Sequence, residues 1–276
     1  MTTTVPSVDA LTEAVRAGHH GPLPSGTVAT SVFWIHHGTR LAGGHTTYLN
    51  QYVLVRLGGS FGGCAFEDGE LNPSVCREFS GAPLDALLGE APRPLRIAAL
   101  DACLSEARPH RLAAETGEAE PVVLPAGTPE VRAQARDAAV AGLLDIAPGA
   151  RVGLIGVVNP LVAAIRARGG EPLPCDLNLR VTRWGEPVTD DMHQVLDRSD
   201  AVVATGMTLG NGSFDTILDR CRARGVPLIV YAQSGSAVAR AFLGSGVTAL
   251  SAEPFPFSQF SADRTVLYRY RAADGS

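Results

Sequence analysis

Apolar and polar positions follow two different periods along this chain, and the change from one to the other falls near residue 150. Before it, Val28–His37 and Tyr48–Leu57 alternate every second residue and are rich in Val, Thr and aromatic side chains, the pattern of half-buried strands. The Gly-containing stretch Ala42–His45 between them predicts an antiparallel hairpin. A third short strand is expected at Gly63–Phe66. Helical spacing appears at Ser7–Arg16, with Ser7 as N-cap and Leu11 and Val15 on one face, and again at Pro83–Gly89 and Leu95–Arg108. Between His110 and Pro129 the composition turns to Glu, Ala, Gly and Pro and reads as an exposed connection. Thr128 then caps a helix running to Leu144.

From Arg151 short apolar runs alternate with helical segments: RVGLIGVV, PLVAAIRARGG, EPLPCDLN, DMHQVLDRSD, AVVATG, NGSFDTILDRCRARG, VPLIVYA, GSAVARAFLGSG and VTALSA. Strands alternating with helices of this length predict βαβ units and a parallel sheet. Thr265–Tyr270 is expected to be a last strand. The fold class is therefore α/β: a Rossmann-like, mostly parallel sheet over 150–276, a smaller amino-terminal α+β domain over 1–110 containing the hairpin, and a connection with one helix over 111–149.

Bulk properties narrow the function classes. The chain has 276 residues, a net charge of -5 and 45% hydrophobic residues, with arginines dispersed among acids. No basic stripe is present to follow a phosphate backbone, so nucleic acid is not expected as a partner. No run approaches the apolar length of a membrane span, and the first residues show neither a basic nor an apolar signal region, so a cytoplasmic protein is expected. Five cysteines without a CxxC argue against a disulfide framework and a zinc ribbon. All 23 basic residues are arginine. Without lysine there is no pyridoxal phosphate Schiff base and no Walker-type phosphate lysine. Whether copies of the chain associate into a homo-oligomer is left open.

In open α/β sheets the loops at the carboxyl ends of the strands carry the site. The first, Gly156–Pro160, lacks GxGxxG, and Pro160 removes an N–H that a pyrophosphate would use, which argues against standard dinucleotide binding. The second ends at Asp176, which reads equally as a ribose ligand or as a cap for the next segment. The third is the richest: Thr205, Gly206, Thr208, Gly210, Asn211, Gly212 and Ser213 lie between an apolar strand and an amphipathic helix, where backbone can approach and donate to a small-molecule ligand. A turn that only caps its helix through Asn211 or Ser213 is the plain alternative. Ser234, in Gln233–Ser236, belongs to a weaker loop of the same kind.

In the hairpin, alternation places His36 and His37 on opposite faces. His36 with His45 across the turn could converge on a transition metal, with Cys64 or Cys76 as further donors, although solvated histidines are the commoner outcome. Tyr48, Asn50 and Tyr52 share a polar face suited to lining a cleft. Cys64 has no sequence-adjacent base, and no GxSxG occurs, so nucleophilic catalysis has little support.

The stretch TGMTLGNGSFDTIL at Thr205–Leu218 resembles the family of heavy-metal chelation proteins, in which a strand, TG, a small polar loop, NG and a helix recur. The likeness extends to RVGLIGVVNPLVAAIRARGGEPLPCDLN and, more loosely, to the hairpin, which is similar to the enolase amino-terminal-like domain preceding the Rossmann-like one in that family. The resemblance implies two domains with a cleft between them and a link to a metal or a metal chelate. Two functions are expected: a binding protein holding a metal or a metal-chelating small molecule between the domains, or an enzyme on an adenosyl or nucleotide-like substrate such as S-adenosylmethionine, with Asp176 on the ribose. Whether there is turnover is left open.

Overall fold

The structure is a computed structural model, described for residues 4–21, 23–40 and 47–273. It begins with α1 (Val8–Arg16), whose cap Ser7 accepts from Ala10 N as the sequence predicts. Strands β1 (Ser31–Thr39), β2 (Tyr48–Leu57) and β3 (Ser60–Phe66) form a three-stranded antiparallel sheet in the order β1-β2-β3, with Trp34 opposite Val53 and Val53 opposite Cys64. The turn at 42–45 lies outside the described residues. Alternation along β2 decides the two faces: Val53, Val55 and Leu57 enter the main core, whereas Tyr52 and Leu54 face a separate aromatic cluster around Phe257. Helices α2 (Val75–Phe79), α3 (Leu84–Gly89) and α4 (Arg93–Ala107) come next. Helix α4 lies so close on β3 that a Cβ on Gly62 would sit 2.0 Å from Ala102 N.

After α5 (His110–Glu115) the chain enters a seven-stranded sheet built from β4 (Glu120–Leu124), β5 (Arg151–Ile155), β6 (Glu171–Cys175), β7 (Ala201–Thr205), β8 (Leu228–Ala232), β9 (Ala249–Ala252) and β10 (Thr265–Arg271). Its order is β4-β10-β9-β8-β7-β5-β6. Strands β5 to β9 are parallel, and β10 and β4 add antiparallel pairings at one side. The parallel part is thus doubly wound, with the strand order reversing between β5 and β7. Helices α6 (Pro129–Ala141, capped by Thr128), α7 (Asn159–Ala167), α8 (Met192–Arg198), α9 (Met207–Gly210), α10 (Phe214–Arg224) and α11 (Ser236–Arg240) complete the fold. Successive strand residues serve opposite faces. Val152, Leu154, Val203 and Ile229 belong to the core that includes Val140 of α6 and Leu161 and Ile165 of α7, while Ile155, Val202, Val230 and Leu250 join the other.

Strand β4 occupies part of the stretch expected to be an exposed connection. It is a sheet edge, the one place where Pro121 costs no ladder hydrogen bond, so the proline that reads as a breaker in sequence is compatible with a strand.

One core runs through both sheets. Val53, Cys64, Leu100 and Ala102 from the amino-terminal part cluster with Leu209, Phe214, Val238 and Ala239. Buried Asp101 of α4 joins them through polar atoms: its carboxylate accepts from Gly63 N at 3.0 Å and Ala237 N at 2.7 Å, across β3 and the start of α11. Gly235 N donates to Gly63 O at 2.7 Å beside it.

Candidate functional site

The carboxyl ends of β5 and β7 lie side by side at the switch point, with Thr205 packed against Gly156. Gly156 takes φ +86°, and its missing Cβ leaves room for the Thr205 methyl, which would lie 2.5 Å from a Cβ there. The Tyr231 hydroxyl, arriving from β8, donates to Gly156 O at 2.7 Å with the Thr205 side chain beside it, and burial pushes the phenol pKa up. Asp176 turns its carboxylate onto backbone, accepting from Val157 N, Asn178 N and Leu179 N at 2.8, 2.8 and 2.9 Å. Of its two expected readings, the cap is the one this geometry displays.

Farther along the same strand ends a denser polar cluster forms. Glu253, one residue beyond β9 and 3% exposed, accepts from Arg136 Nε at 2.8 Å, Gln233 Nε2 at 3.0 Å and Ser258 N. Arg136 comes from α6 and also bonds Ser258 Oγ. Burial raises the Glu253 pKa, but the guanidinium and the Ser258 donors outweigh it and hold the carboxyl below its ordinary range. From the small sheet, Tyr52 reaches the same place: its hydroxyl accepts from Gln259 Nε2 at 3.1 Å, and it feels the charges of Arg136 and Glu253. Thr205, Tyr231, Gln233, Arg136 and Gln259 are half-buried here, whereas Glu253, Ser258, Tyr52 and Asp137 are buried. The aromatic residues Phe255, Phe257 and Phe260 pack this segment onto Phe33 and Tyr52.

Asp137 is buried and its pKa is pushed up to about 7, chiefly by desolvation; Arg136 pulls it down and Glu253 pushes it up. A raised folded pKa means that stability is gained on protonation: the contribution is complete below the unfolded value and is lost as pH rises through about 7. Asp137→Asn is therefore expected to raise Tm by several degrees at pH 8.5 and by clearly less at pH 5, as differential scanning fluorimetry would register. An equal effect at both pH values would contradict the assignment. His110 works in the opposite sense. Burial, then Arg240, lowers its pKa to about 3, so its contribution is present above pH 6.5 and lost below it.

The expected loop residues separate into two groups. Thr205 and Gly206 stand at the strand mouth, and Gly206 is a packing glycine: a Cβ there would meet Ser234 O at 2.3 Å. Thr208 is buried, with its hydroxyl donating to Thr205 O at 2.7 Å. Gly210 lies under β3, where a Cβ would be 2.6 Å from Ala65 O. Asn211 and Ser213 form a local turn, Asn211 Oδ1 accepting from Ser213 N at 3.0 Å, with Gly212 beside Arg93 at the start of α4. Ser234 is buried behind Gly206. In the hairpin His36 is exposed opposite Gln51, and His45 lies outside the described residues. Asn50 pairs with His37 across the hairpin; β2 begins at Tyr48. Among the described residues, no three His, Cys, Asp or Glu gather in a way that could hold a metal ion. Cys64 is buried, and desolvation pushes its thiol pKa up, so it is not poised as a thiolate.

Sequence reasoning named neither Arg136 and Asp137 nor the place of Glu253 and Gln233 in one cluster. One signal was available: Glu253, like Asp176, is an acid directly after an apolar strand. No helix among the described residues is long and apolar enough to cross a membrane.

Two solved structures share this architecture. A protein of unknown function from the DUF364 family of Pyrococcus horikoshii aligns with a TM-score of 0.59 at 16% identity, over 96% of this chain and 100% of its own. One from Desulfitobacterium hafniense DCB-2, of the same family and also of unknown function, gives 0.56 at 15% identity, over 89% and 83%. At such identities the likeness is one of fold. No curated protein sequence matches the chain. The model of the DUF364 family, described as "Putative heavy-metal chelation", matches residues 139–253, from α6 through β9 to the buried glutamate.

Proposed function

We propose that this protein binds a small polar molecule, one able to chelate metal, at the carboxyl ends of β7, β8 and β9 where the small sheet closes over them. The observation that carries the reading is the convergence of Arg136, Gln233, Glu253, Tyr231 and Tyr52 from four elements on one partly open place. Charged and amide groups gathered at strand ends, with a backbone already satisfied around them, fit a ligand held by side chains. The family description supports the link to metal chelates. The residues do not fit a metal held directly by protein, because the cysteines are dispersed, His36 is exposed and the Glu253 oxygens are taken by Arg136, Gln233 and Ser258. The adenosyl alternative is less favoured, since the Asp176 carboxylate already accepts from three backbone N–H groups.

Native mass spectrometry with elemental analysis of the purified protein tests this. A small-molecule adduct at one per chain is expected, any metal scaling with the adduct, and Glu253→Gln should lose it while His36→Ala keeps it. Loss of the adduct in His36→Ala with retention in Glu253→Gln would move the site to the hairpin.

A further inference from the structure

We propose that the free edge of β1 docks a second copy of this chain, the two β1 strands pairing antiparallel about a two-fold axis at His36. The strand is the outer one of the small sheet, and its pairing with β2 fixes which backbone groups are left over. Val32 N donates to Ser80 Oγ at 3.0 Å on the side away from β2, so alternation turns the N–H and C=O of Trp34, His36 and Gly38 to that side as well. Among the described residues nothing bonds them there. The other sheet edges are guarded. Strand β4 carries Pro121, β6 carries Pro172 and Pro174, and β3 is covered, its Gly63 O accepting from Gly235 N at 2.7 Å. Natural sheets block an edge with proline, charge or a covering element, because an open one pairs with another strand. From Trp34 to Gly38, among the described residues, β1 has no proline, no lysine or carboxylate and no element bonded over it.

The occupant follows from the pairs this edge makes with itself. With the axis at His36, His36 meets the partner's His36 and Trp34 meets the partner's Gly38, each pair exchanging both backbone hydrogen bonds while Val32 keeps Ser80. An axis at Ile35 would set the partner's Gly38 against Val32, whose N–H is already used, and one at His37 would set Trp34 against Arg40, beyond the end of the strand. The side chains agree with this register. Gly38 stands opposite Leu49 of β2, which at 69% exposed is the barest large apolar residue among those described, and the place of the missing Gly38 Cβ is 3.3 Å from Leu49 Cδ2. Trp34 lies half-buried on the same face, its ring edge-on to Phe66 at 4.7 Å. Opposite residues of paired strands hold their Cβ atoms about 5 Å apart, so the partner's Trp34 covers Gly38 and reaches Leu49, and the two-fold makes that contact twice. Past Gly38, exposed Arg40 arrives opposite the partner's Val32, next to Ser80 and two residues from exposed Glu78, an opposite charge. The other face of β1, where Phe33 packs on Phe255, takes no part.

Sedimentation velocity of the intact chain from about 1 to about 200 μM tests this, with a reversible dimer expected and a Kd on the order of 10 μM for so narrow an interface. Amide exchange at both ends of that range should show Trp34, His36 and Gly38 protected only in the dimer. His36→Pro removes the central N–H, which the protomer does not use, and is expected to weaken dimerisation on the order of tenfold or more with little change in Tm. Leu49→Asp, at an exposed position, gives the same readout should the proline variant not fold, because it sets a charge under the partner's Trp34. A monomer throughout the range overturns the proposal and leaves the edge to a strand of another protein. A dimer that survives either folded variant, or that leaves the three amides exchanging as in the monomer, overturns it as well.

Discussion

Gly210→Val is expected to lower stability by about 3 kcal/mol or more, as overpacking against fixed backbone does, and so to lower Tm by roughly 6 to 12 °C for a chain of this size. The reason is local. Gly210 ends α9 at the point where that helix rests on β3, with the place of its missing Cβ 2.6 Å from Ala65 O and 2.8 Å from Cys64 Sγ. Neither atom can yield, because Ala65 is paired with Tyr52 in the small sheet and Cys64 is buried in the shared core. The valine therefore has to separate β3 from α9, and the contact that joins the two sheets loosens. Thermal and urea unfolding would measure the effect. A near-native Tm combined with lost ligand binding would instead return Gly210 to the ligand site, which is the role its loop composition suggests.

The second large effect is expected at Arg132, 1% exposed and among the largest fully buried side chains. Its Nε donates to Ser258 O at 3.1 Å, one terminal nitrogen to Thr265 Oγ1 at 2.7 Å, and the other to Pro125 O and Asp263 O. A single guanidinium thus ties α6 to the end of β4, the start of β10 and the segment that carries Ser258. Arg132→Leu leaves these acceptors buried without donors, and the expected cost is about 3 kcal/mol or more. Because Ser258 bonds both Arg136 and Glu253, the same change is expected to weaken ligand binding from a distance. Hydrogen exchange over residues 253–264 should rise in the variant well before global unfolding. Arg132→Lys should recover only part of the loss, since one ammonium cannot reproduce the fork that reaches four acceptors. Unchanged exchange in Arg132→Leu would show that the aromatic cluster of Phe255, Phe257 and Phe260 fixes the segment without it.

The two predictions mark how unevenly the sequence speaks. The caps at Ser7 and Thr128, the hairpin faces of β2 and the strand at Thr265–Tyr270 are legible because each depends on neighbours two to four residues away. The parallel strands are legible because burial on both faces makes them short continuous apolar runs. Strand β4 is hidden because Pro121 and Glu120 are tolerated only at an edge, and edges are defined by the whole sheet.

The site is less legible than the fold. Thr205–Ser213 looks like a ligand loop, and its composition is also what close packing of α9 on β3 and of Gly206 on Ser234 demands. Glycine for a ligand and glycine for a backbone contact leave the same letter. Arg136 and Asp137 sit in an Ala-rich helix, where adjacent charges ordinarily belong to a solvated face. Only the placement of α6 against β9 and the 258–260 turn brings them to Glu253, 117 positions from Arg136.

What the sequence determined by itself is therefore the class of fold, the strand and helix alternation beyond Arg151, and the absence of lysine chemistry, all of which come from local periodicity and composition. The tertiary structure alone decided which polar residues face one another and which glycines are needed for packing. Those are properties of contacts between segments far apart in the chain, and no local period encodes them.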